Sequence, residues 1–168
     1  MIFRLADMND LSALKIMYRE IVENMNLHHI EIWDDIYPVE FIKEDIENHQ
    51  FYVLLDNNQI VAGLSLCENH DGESDIEWLG KNEKVLYIDR LGVRVNYLRK
   101  GVGALILNEA INLARKMDIQ CLRLFVVDTN EPAINLYKKV GFIEAKGIYN
   151  EVIDESLTLH ERGFEILL

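Results

Sequence analysis

The sequence has few of the features that mark membrane, secreted or multidomain proteins. No apolar run approaches the roughly 20 residues that a membrane-spanning helix requires. The first residues have neither the basic start nor the apolar body of a secretion signal, which favours a cytoplasmic location. With only two prolines and no linker-like stretch, the 168 residues predict one domain that spans residues 1–168.

Basic residues and cysteines are also scarce. The 17 Lys and Arg residues against 29 Asp and Glu residues give a formal net charge of −12. A surface this acidic repels nucleic acid and anionic membranes, so we expect neither as a partner, whereas cationic substrates remain open. Cys67 and Cys121 lie in apolar runs without metal-like or redox-like spacing, which predicts buried free thiols and no metal site. The sequence leaves a homodimer open.

Apolar residues recur at strand-like and helix-like spacings in turn along the chain. They predict strands over residues 1–5, 51–55, 60–66, 85–93, 119–127, 142–149 and 157–168, and helices over residues 11–25, 38–49, 101–117 and 130–140. Asn57 and Asn58 tolerate positive φ, which predicts an antiparallel hairpin. The strand–helix–strand over residues 85–127 predicts a right-handed parallel crossover. The fold class is therefore α/β, a mixed and mostly antiparallel sheet with helices on both faces.

A glycine pair begins the helix predicted from residue 101. Gly101 and Gly103 let the backbone approach a ligand closely, and the first-turn N–H groups lie at the positive end of the helix dipole. This chemistry suits a pyrophosphate. No acidic residue occurs over residues 90–108, and four basic residues crowd the segment: Arg90, Arg94, Arg99 and Lys100. Taken alone, the pattern also fits a glycine-tightened turn with solvated basic side chains.

Two segments carry a family resemblance. Leu98-Arg99-Lys100-Gly101-Val102-Gly103 resembles the Q/R-x-x-G-x-G/A motif with which the GNAT superfamily of N-acetyltransferases grips the pyrophosphate of coenzyme A. Leu98 stands where Gln or Arg is usual, which removes a side-chain contact but leaves the backbone grip. Residues 128–142 resemble the family's N-x-x-A-x-x-L-Y-x-x-x-G-F segment at every marked position, from Asn130 to Phe142.

The resemblance implies a GNAT fold, with a twisted sheet and a splayed pair of parallel strands, and acetyl-CoA as the acyl donor. In the family the matching Tyr points toward the thioester sulfur and the matching Asn approaches the pantetheine arm. Taken alone, an aromatic residue in such an apolar stripe is more often a core residue than a catalytic one, so Tyr137 fits a packing role better. The coenzyme A-binding residues implied are Leu91, Gly92, Val93, Arg99, Lys100, Gly101, Val102, Gly103, Ala104, Asn130 and Tyr137.

The reaction also needs a group that accepts a proton from the attacking amine. Asp89 is the first candidate because many family members carry an acid near this place on the strand, and strand alternation puts it on the same side as Leu91 and Val93. A charge pair with Arg90 or with another strand neighbour explains Asp89 equally well, and Glu68 is the reserve candidate. Gly92 within the same strand indicates a bulge or a close backbone approach.

In the family the acceptor site is formed by the first helices and the last strands. The candidates there are Trp33 and Tyr37, which lie four residues apart and would share a helical face, with Glu68 and Tyr149. The acidic segment 68–83 would attract polyamines or aminoglycosides, or is simply solvated.

The implied function is acetyl transfer from acetyl-CoA to a primary amine of a small molecule or peptide, by direct attack in a ternary complex. The alternative is a non-catalytic coenzyme A-binding module of the same fold. Tyr137 and Asp89 favour the enzyme.

Overall fold

The computed structural model describes residues 1–81 and 84–168, so the acidic segment predicted over residues 68–83 lies partly outside the described residues. Its helices are α1 (Leu11–Leu27), α2 (Ile42–Glu47), α3 (Val102–Lys116) and α4 (Glu131–Val140). Its strands are β1 (Ile2–Leu5), β2 (Phe51–Asp56), β3 (Gln59–Cys67), β4 (Ile76–Glu77), β5 (Val85–Val93), β6 (Cys121–Val127), β7 (Ile143–Glu144), β8 (Lys146–Gly147), β9 (Tyr149–Val152) and β10 (Thr158–Leu167).

Strand pairing confirms a mixed α/β fold with mostly antiparallel strands and a parallel pair, β5 with β6. The described residues form two compact units, Met1–Leu66 with Arg90–Ile106, and Cys67–Asp89 with Leu107–Leu168. Strand β5 and helix α3 each contribute residues to both units. Among the described residues, no helix is long and apolar enough to cross a membrane.

The first unit contains an antiparallel sheet that packs against α1 and α2. Strand β1 pairs with β2, and β2 pairs with β3 through a tight hairpin. Asn57 and Asn58 adopt φ values of 45° and 64° at the turn, which confirms the hairpin predicted from their tolerance of positive φ. Apolar residues of α1 at helical spacing, including Leu14, Met17 and Tyr18, enter the core of this unit.

The second unit contains the parallel pair and the closing strands. Strands β5 and β6 are parallel from Val85 opposite Cys121 to Ile88 opposite Leu124. Strand β10 is antiparallel to β6 and also pairs with β7 and β9. Helix α4 begins at the cap predicted for it, Asn130, and ends at Gly141 with φ 112°, the left-handed conformation that the sequence also predicts.

Two predicted elements are wrong in extent. The second helix is predicted over residues 38–49, but α2 spans only Ile42–Glu47. Turns precede it, because the Asp34 carboxylate accepts the backbone N–H groups of Ile36 and Tyr37 and the chain then turns at Pro38. Trp33 and Tyr37 therefore lie in this connection and share no helical face.

The strand predicted over residues 142–149 is interrupted. It is divided among β7, β8 and the start of β9. Gly147 adopts φ 120° at the break, and a Cβ there would collide with the carbonyl oxygen of Asp75. The backbone approaches closely here because β8 pairs with β4, with Gly147 opposite Ile76. The interruption follows from this close approach, which no local sequence signal shows.

Candidate functional site

The loop before α3 presents backbone to open space. Gly101 adopts φ 80°, and apart from its chain neighbours no heavy atom lies within 4 Å of the position that a Cβ would take. The backbone N–H of Leu105 donates to the carbonyl of Gly101, so the first turn of the helix starts here. A helix leaves its first N–H groups without intrahelical acceptors and carries a positive partial charge at this end. The loop can therefore accommodate an anion.

Two of the four basic residues predicted at this loop are committed to other groups of the first unit. The Arg94 guanidinium donates from Nε to the carbonyl of Ile60 at 2.9 Å and from Nη1 to Glu20 at 3.3 Å. Arg90 forms an ion pair with Asp45 at 3.1 Å. Arg99 and Lys100 are exposed, and the Lys100 ammonium lies 5.4 Å from the ring centre of Tyr97. The exposed positive charge of the loop therefore comes from Arg99 and Lys100.

The sequence predicts a bulge or a close backbone approach at Gly92. The structure has the close approach there and a departure from extended backbone two residues earlier. Arg90 adopts φ 53° within β5, a departure from extended backbone that we call the β5 kink. Gly92 instead permits a close approach, since a Cβ there would lie 2.8 Å from two ring carbons of Tyr18. Because the kink interrupts regular alternation, the same-side placement predicted for Asp89 and Leu91 does not follow from strand parity.

Tyr137 is buried in the second unit and interacts with Asp89. Its ring lies 6.1 Å from that of Phe142 and 6.4 Å from that of Phe164. Burial raises the pKa of the Tyr137 phenol, and the negative charge of Asp89 raises it further. Tyr137 thus keeps its proton at neutral pH, as a proton donor must. Asn130 caps the same helix by accepting the backbone N–H of Ala133 at 3.3 Å.

Two carboxyl groups that the sequence analysis missed accompany Asp89. Burial raises the pKa of Glu161 to about 8, with additional contributions from the charges of Glu151 and Asp89. Burial and the charges of Asp89 and Asp71 likewise raise the pKa of Glu151. We call Asp89, Glu151 and Glu161 the carboxylate cluster. The grouping requires β5, β9 and β10 to be brought together, so no local motif could have shown it.

Tyr149 lies beside the carboxylate cluster. It is opposite Glu161 in the β9–β10 register, so the two side chains share a sheet face. Burial raises the pKa of Tyr149, and the charges of Glu151, Asp71, Glu161 and Asp75 raise it further. Its ring also contacts His70 and Phe125, which are stacked on each other with centroids 3.8 Å apart. The surroundings of Tyr149 therefore include both aromatic rings and acidic groups.

The other three predicted acceptor residues, Trp33, Tyr37 and Glu68, do not have the surroundings described for Tyr149. Trp33 packs on Tyr18, with ring centres 5.9 Å apart, and is partly buried against the core of the first unit. The ring of Tyr37 lies 5.4 Å from the guanidinium carbon of Arg90. Glu68 is exposed on the bend after β3. Of the four predicted residues, Tyr149 is the one that the structure places within the electrostatic surroundings of the carboxylate cluster.

Neither cysteine forms a disulfide. Burial and the charge of Glu165 raise the pKa of the Cys121 thiol to about 12, so this sulfur stays protonated and unreactive. Among residues 1–81 and 84–168, no group of three His, Cys, Asp or Glu side chains could hold a metal ion.

Comparison with known protein families shows the family to which this chain belongs. The model of the Acetyltransferase (GNAT) family matches residues 16–142, which is most of the chain. The chain belongs to the GNAT family of acetyltransferases.

Individual relatives agree with this GNAT membership. The chain is 32% identical over 126 residues to N-alpha-acetyltransferase 50 of Danio rerio, covering 71% of this chain and 70% of that protein. It is 29% identical over 150 residues to the provisionally named phosphinothricin acetyltransferase YwnH of Bacillus subtilis (strain 168), covering 86% and 85%. The structure of Salmonella typhimurium yncA with its cofactor acetyl-CoA has a TM-score of 0.71 at 20% identity, covering 100% and 94%. That last similarity supports the fold.

The residues of the GNAT motifs fit a pyrophosphate-bearing cofactor. Gly101 combines positive φ with open space on its Cβ side, which is the condition for backbone to approach a ligand. Arg99 and Lys100 supply exposed positive charge next to it. Backbone N–H groups at a helix N-terminus and the side chains of Arg and Lys commonly bind phosphate groups.

Proposed function

We propose that this chain is an acetyl-CoA-dependent N-acetyltransferase that acetylates a primary amine of a small molecule or peptide by direct attack in a ternary complex. The observation that carries the proposal is the pairing of a buried, protonated Tyr137 with the charge of Asp89, in a chain of the GNAT family. We treat residues 1–168 as one acetyltransferase domain, since the family match includes residues of both units. Two free thiols are in keeping with a cytoplasmic protein.

Cofactor binding is assigned separately in each unit. In the first unit, we assign the pyrophosphate to the backbone of residues 99–104 with the side chains of Arg99 and Lys100, and the pantetheine to backbone groups of Leu91, Gly92 and Val93. In the second unit, we assign cofactor contacts to Asn130 and Tyr137. The fit of Gly101 to a close ligand and the acetyl-CoA bound by yncA support this assignment. Acetyl-CoA supplies an electrophilic carbonyl carbon and a thiol leaving group.

The proton transfers are assigned to two side chains. Asp89 accepts a proton from the amine nitrogen as that nitrogen bonds to the acetyl carbon, directly or through water. Tyr137 donates its phenolic proton to the sulfur as the carbon–sulfur bond breaks. Glu161 keeps its own proton below about pH 8, so it is a poor acceptor at neutral pH. Of the two remaining members of the carboxylate cluster, we assign Asp89 as base rather than Glu151, because its charge acts on the phenol of Tyr137.

The amine acceptor is assigned to the acidic side of the second unit. A primary amine arrives mostly as an ammonium ion, because its pKa is about 10. The carboxylates around Tyr149 would attract that cation, which makes Tyr149 the first acceptor contact. Glu68 is the second, while Trp33 and Tyr37 are less favoured because they pack against Tyr18 and Arg90. The names of the relatives point to both acceptor kinds, N-terminal α-amino groups and phosphinothricin.

The test is a thiol-release assay with acetyl-CoA against a panel of amines. The panel holds peptides with free N-termini, lysine peptides, polyamines, aminoglycosides and phosphinothricin, and mass spectrometry identifies the acetylated products. We expect amine-dependent release of coenzyme A with at least one acceptor. Acetyl-CoA binding without release on the whole panel would indicate the non-catalytic binding module instead.

A further inference from the structure

The β5 kink places a large side chain in a conformation that it rarely adopts. Arg90 has φ 53°, a value that favours glycine and costs an L-residue free energy through contacts of its Cβ. Such a residue persists only where its surroundings hold it in place. Two separate groups of contacts hold Arg90, one at its backbone and one at its side chain.

The backbone contact comes from α1. The hydroxyl of the fully buried Tyr18 donates to the carbonyl of Arg90 at 2.5 Å. The carbonyl oxygen of Gly63 on β3 lies 3.1 Å from the same Tyr18 hydroxyl. The ring of Tyr18 fills the space that the missing side chain of Gly92 leaves open. Tyr18 therefore fixes the position of the backbone on both sides of Leu91.

The side-chain contact comes from α2, β3 and the connection before α2. The Arg90 guanidinium forms an ion pair with Asp45 at 3.1 Å, and the side chains are only 12% and 9% exposed. Ser65 donates its hydroxyl to the same carboxylate at 2.5 Å. The rings of Tyr37 and Phe41 lie 5.4 and 5.6 Å from the guanidinium carbon and cover it. Removing Arg90 would take this positive charge away from the buried Asp45 carboxylate, which is costly for a buried charge.

We propose that Tyr18, Asp45 and Arg90 are positioning residues for the cofactor, because they hold the β5 kink and so set the direction of the backbone N–H groups of Leu91, Gly92 and Val93. The inference rests on the proposed function, in which these N–H groups bind the pantetheine. None of the three is assigned a contact with the reacting atoms. Their effect is on the geometry of the strand that follows the kink.

A comparison of glycine with alanine at position 90 separates positioning from packing. Asp45→Asn combined with Arg90→Gly and Asp45→Asn combined with Arg90→Ala remove the same ion pair and leave no buried carboxylate charge. Glycine adopts positive φ freely, whereas alanine keeps the Cβ that disfavours it. Isothermal titration calorimetry should therefore give an acetyl-CoA Kd about tenfold weaker for the alanine pair than for the glycine pair. A packing role predicts equal affinities, or a weaker glycine pair because glycine is the more flexible residue.

Tyr18→Phe tests the contact between the Tyr18 hydroxyl and the carbonyl of Arg90. It also tests the positioning role if the double variants do not fold. It keeps the ring and removes only the hydroxyl, so acetyl-CoA affinity should fall by about two- to tenfold. Asn58→Ala is the matched control, since Asn58 has φ 64° in the β2–β3 turn of the same unit. It should lower the melting temperature and leave the acetyl-CoA Kd unchanged.

Acetyl-CoA binding by the parent protein distinguishes failure of the proposed function from failure of the positioning role alone. If the parent does not bind acetyl-CoA, the proposed function fails and this inference with it. If the parent binds, but the glycine and alanine pairs bind equally and Tyr18→Phe binds like the parent, the positioning role is overturned and the proposed function stands. Crystal structures of the free variants would also show the φ of residue 90 directly, with positive φ kept in the glycine pair and lost in the alanine pair.

Discussion

Replacing Glu161 with Gln should make the stability of the protein less dependent on pH. The folded protein raises the pKa of Glu161 from an ordinary value of 4.5 to about 8 through burial and the charges of Glu151 and Asp89. A group whose pKa is higher in the folded state binds more protons when folded, so the free energy of unfolding falls as the pH rises from about 4.5 to about 8. Gln stays neutral and has no such loss.

The magnitude follows from the size of the pKa change. Each pH unit between the two pKa values is worth about 1.4 kcal/mol, which sets an upper limit of about 5 kcal/mol for Glu161. Glu161 keeps some contact with solvent, which screens the charges around it, and we expect about 2 kcal/mol. Near pH 4 the Glu and Gln proteins should have nearly equal stability, and at pH 8.5 Glu161→Gln should be the more stable by that amount.

Urea unfolding at several pH values from 4 to 8.5 measures the difference. Carboxyl groups outside the carboxylate cluster titrate equally in both proteins, so subtracting the two curves isolates Glu161 together with its coupling to Asp89 and Glu151. Glu155→Gln is the control, because Glu155 is exposed in the turn before β10. A gap between parent and Glu161→Gln that stays constant across the pH range would show that Glu161 is not buried among other negative charges, and the carboxylate cluster would have to be abandoned.

Three further predictions concern the assigned site residues. Gly101→Val should abolish the rise in melting temperature that millimolar acetyl-CoA gives the parent, because a branched side chain enters the space beside the loop backbone; circular dichroism checks that the variant is folded. Asp89→Asn should lower turnover most near neutral pH and recover partly at high pH, where free amine is plentiful; an unchanged pH–rate profile would move the role of base to Glu68 or water. Tyr137→Phe should keep acetyl-CoA affinity and lower turnover at least about tenfold; turnover within about twofold of the parent, with chemistry rate-limiting, would leave Tyr137 a packing role.

The features that the sequence predicted well depend on neighbouring residues. Asn57 and Asn58 form the hairpin turn because their own side chains tolerate positive φ. Asn130 and Gly141 mark the ends of α4 because capping depends on groups within one turn of the helix. The family motifs are equally local, which explains why the loop at Gly101 and the position of Tyr137 on a helix could be predicted.

The features that it predicted poorly depend on residues distant in the chain. The sequence predicts Arg90 and Arg94 beside the anion-binding loop, but in the structure they form ion pairs with Asp45 and Glu20. Glu161 acquires its raised pKa only when folding buries it on β10 and brings it near the charges of Glu151 and Asp89. Ionic partners and burial are tertiary properties, so no motif could have shown them.

The central claim is that this chain transfers an acetyl group, and one measurement tests it most directly. The acetylated amine and free coenzyme A are quantified over time by mass spectrometry, with the best acceptor of the panel, for the parent and for Tyr137→Phe. We predict that the parent forms the two products in equal amounts and that the variant forms both at least about tenfold more slowly. Saturable acetyl-CoA binding by the parent without any acetylated amine would contradict the claim and identify a binding module.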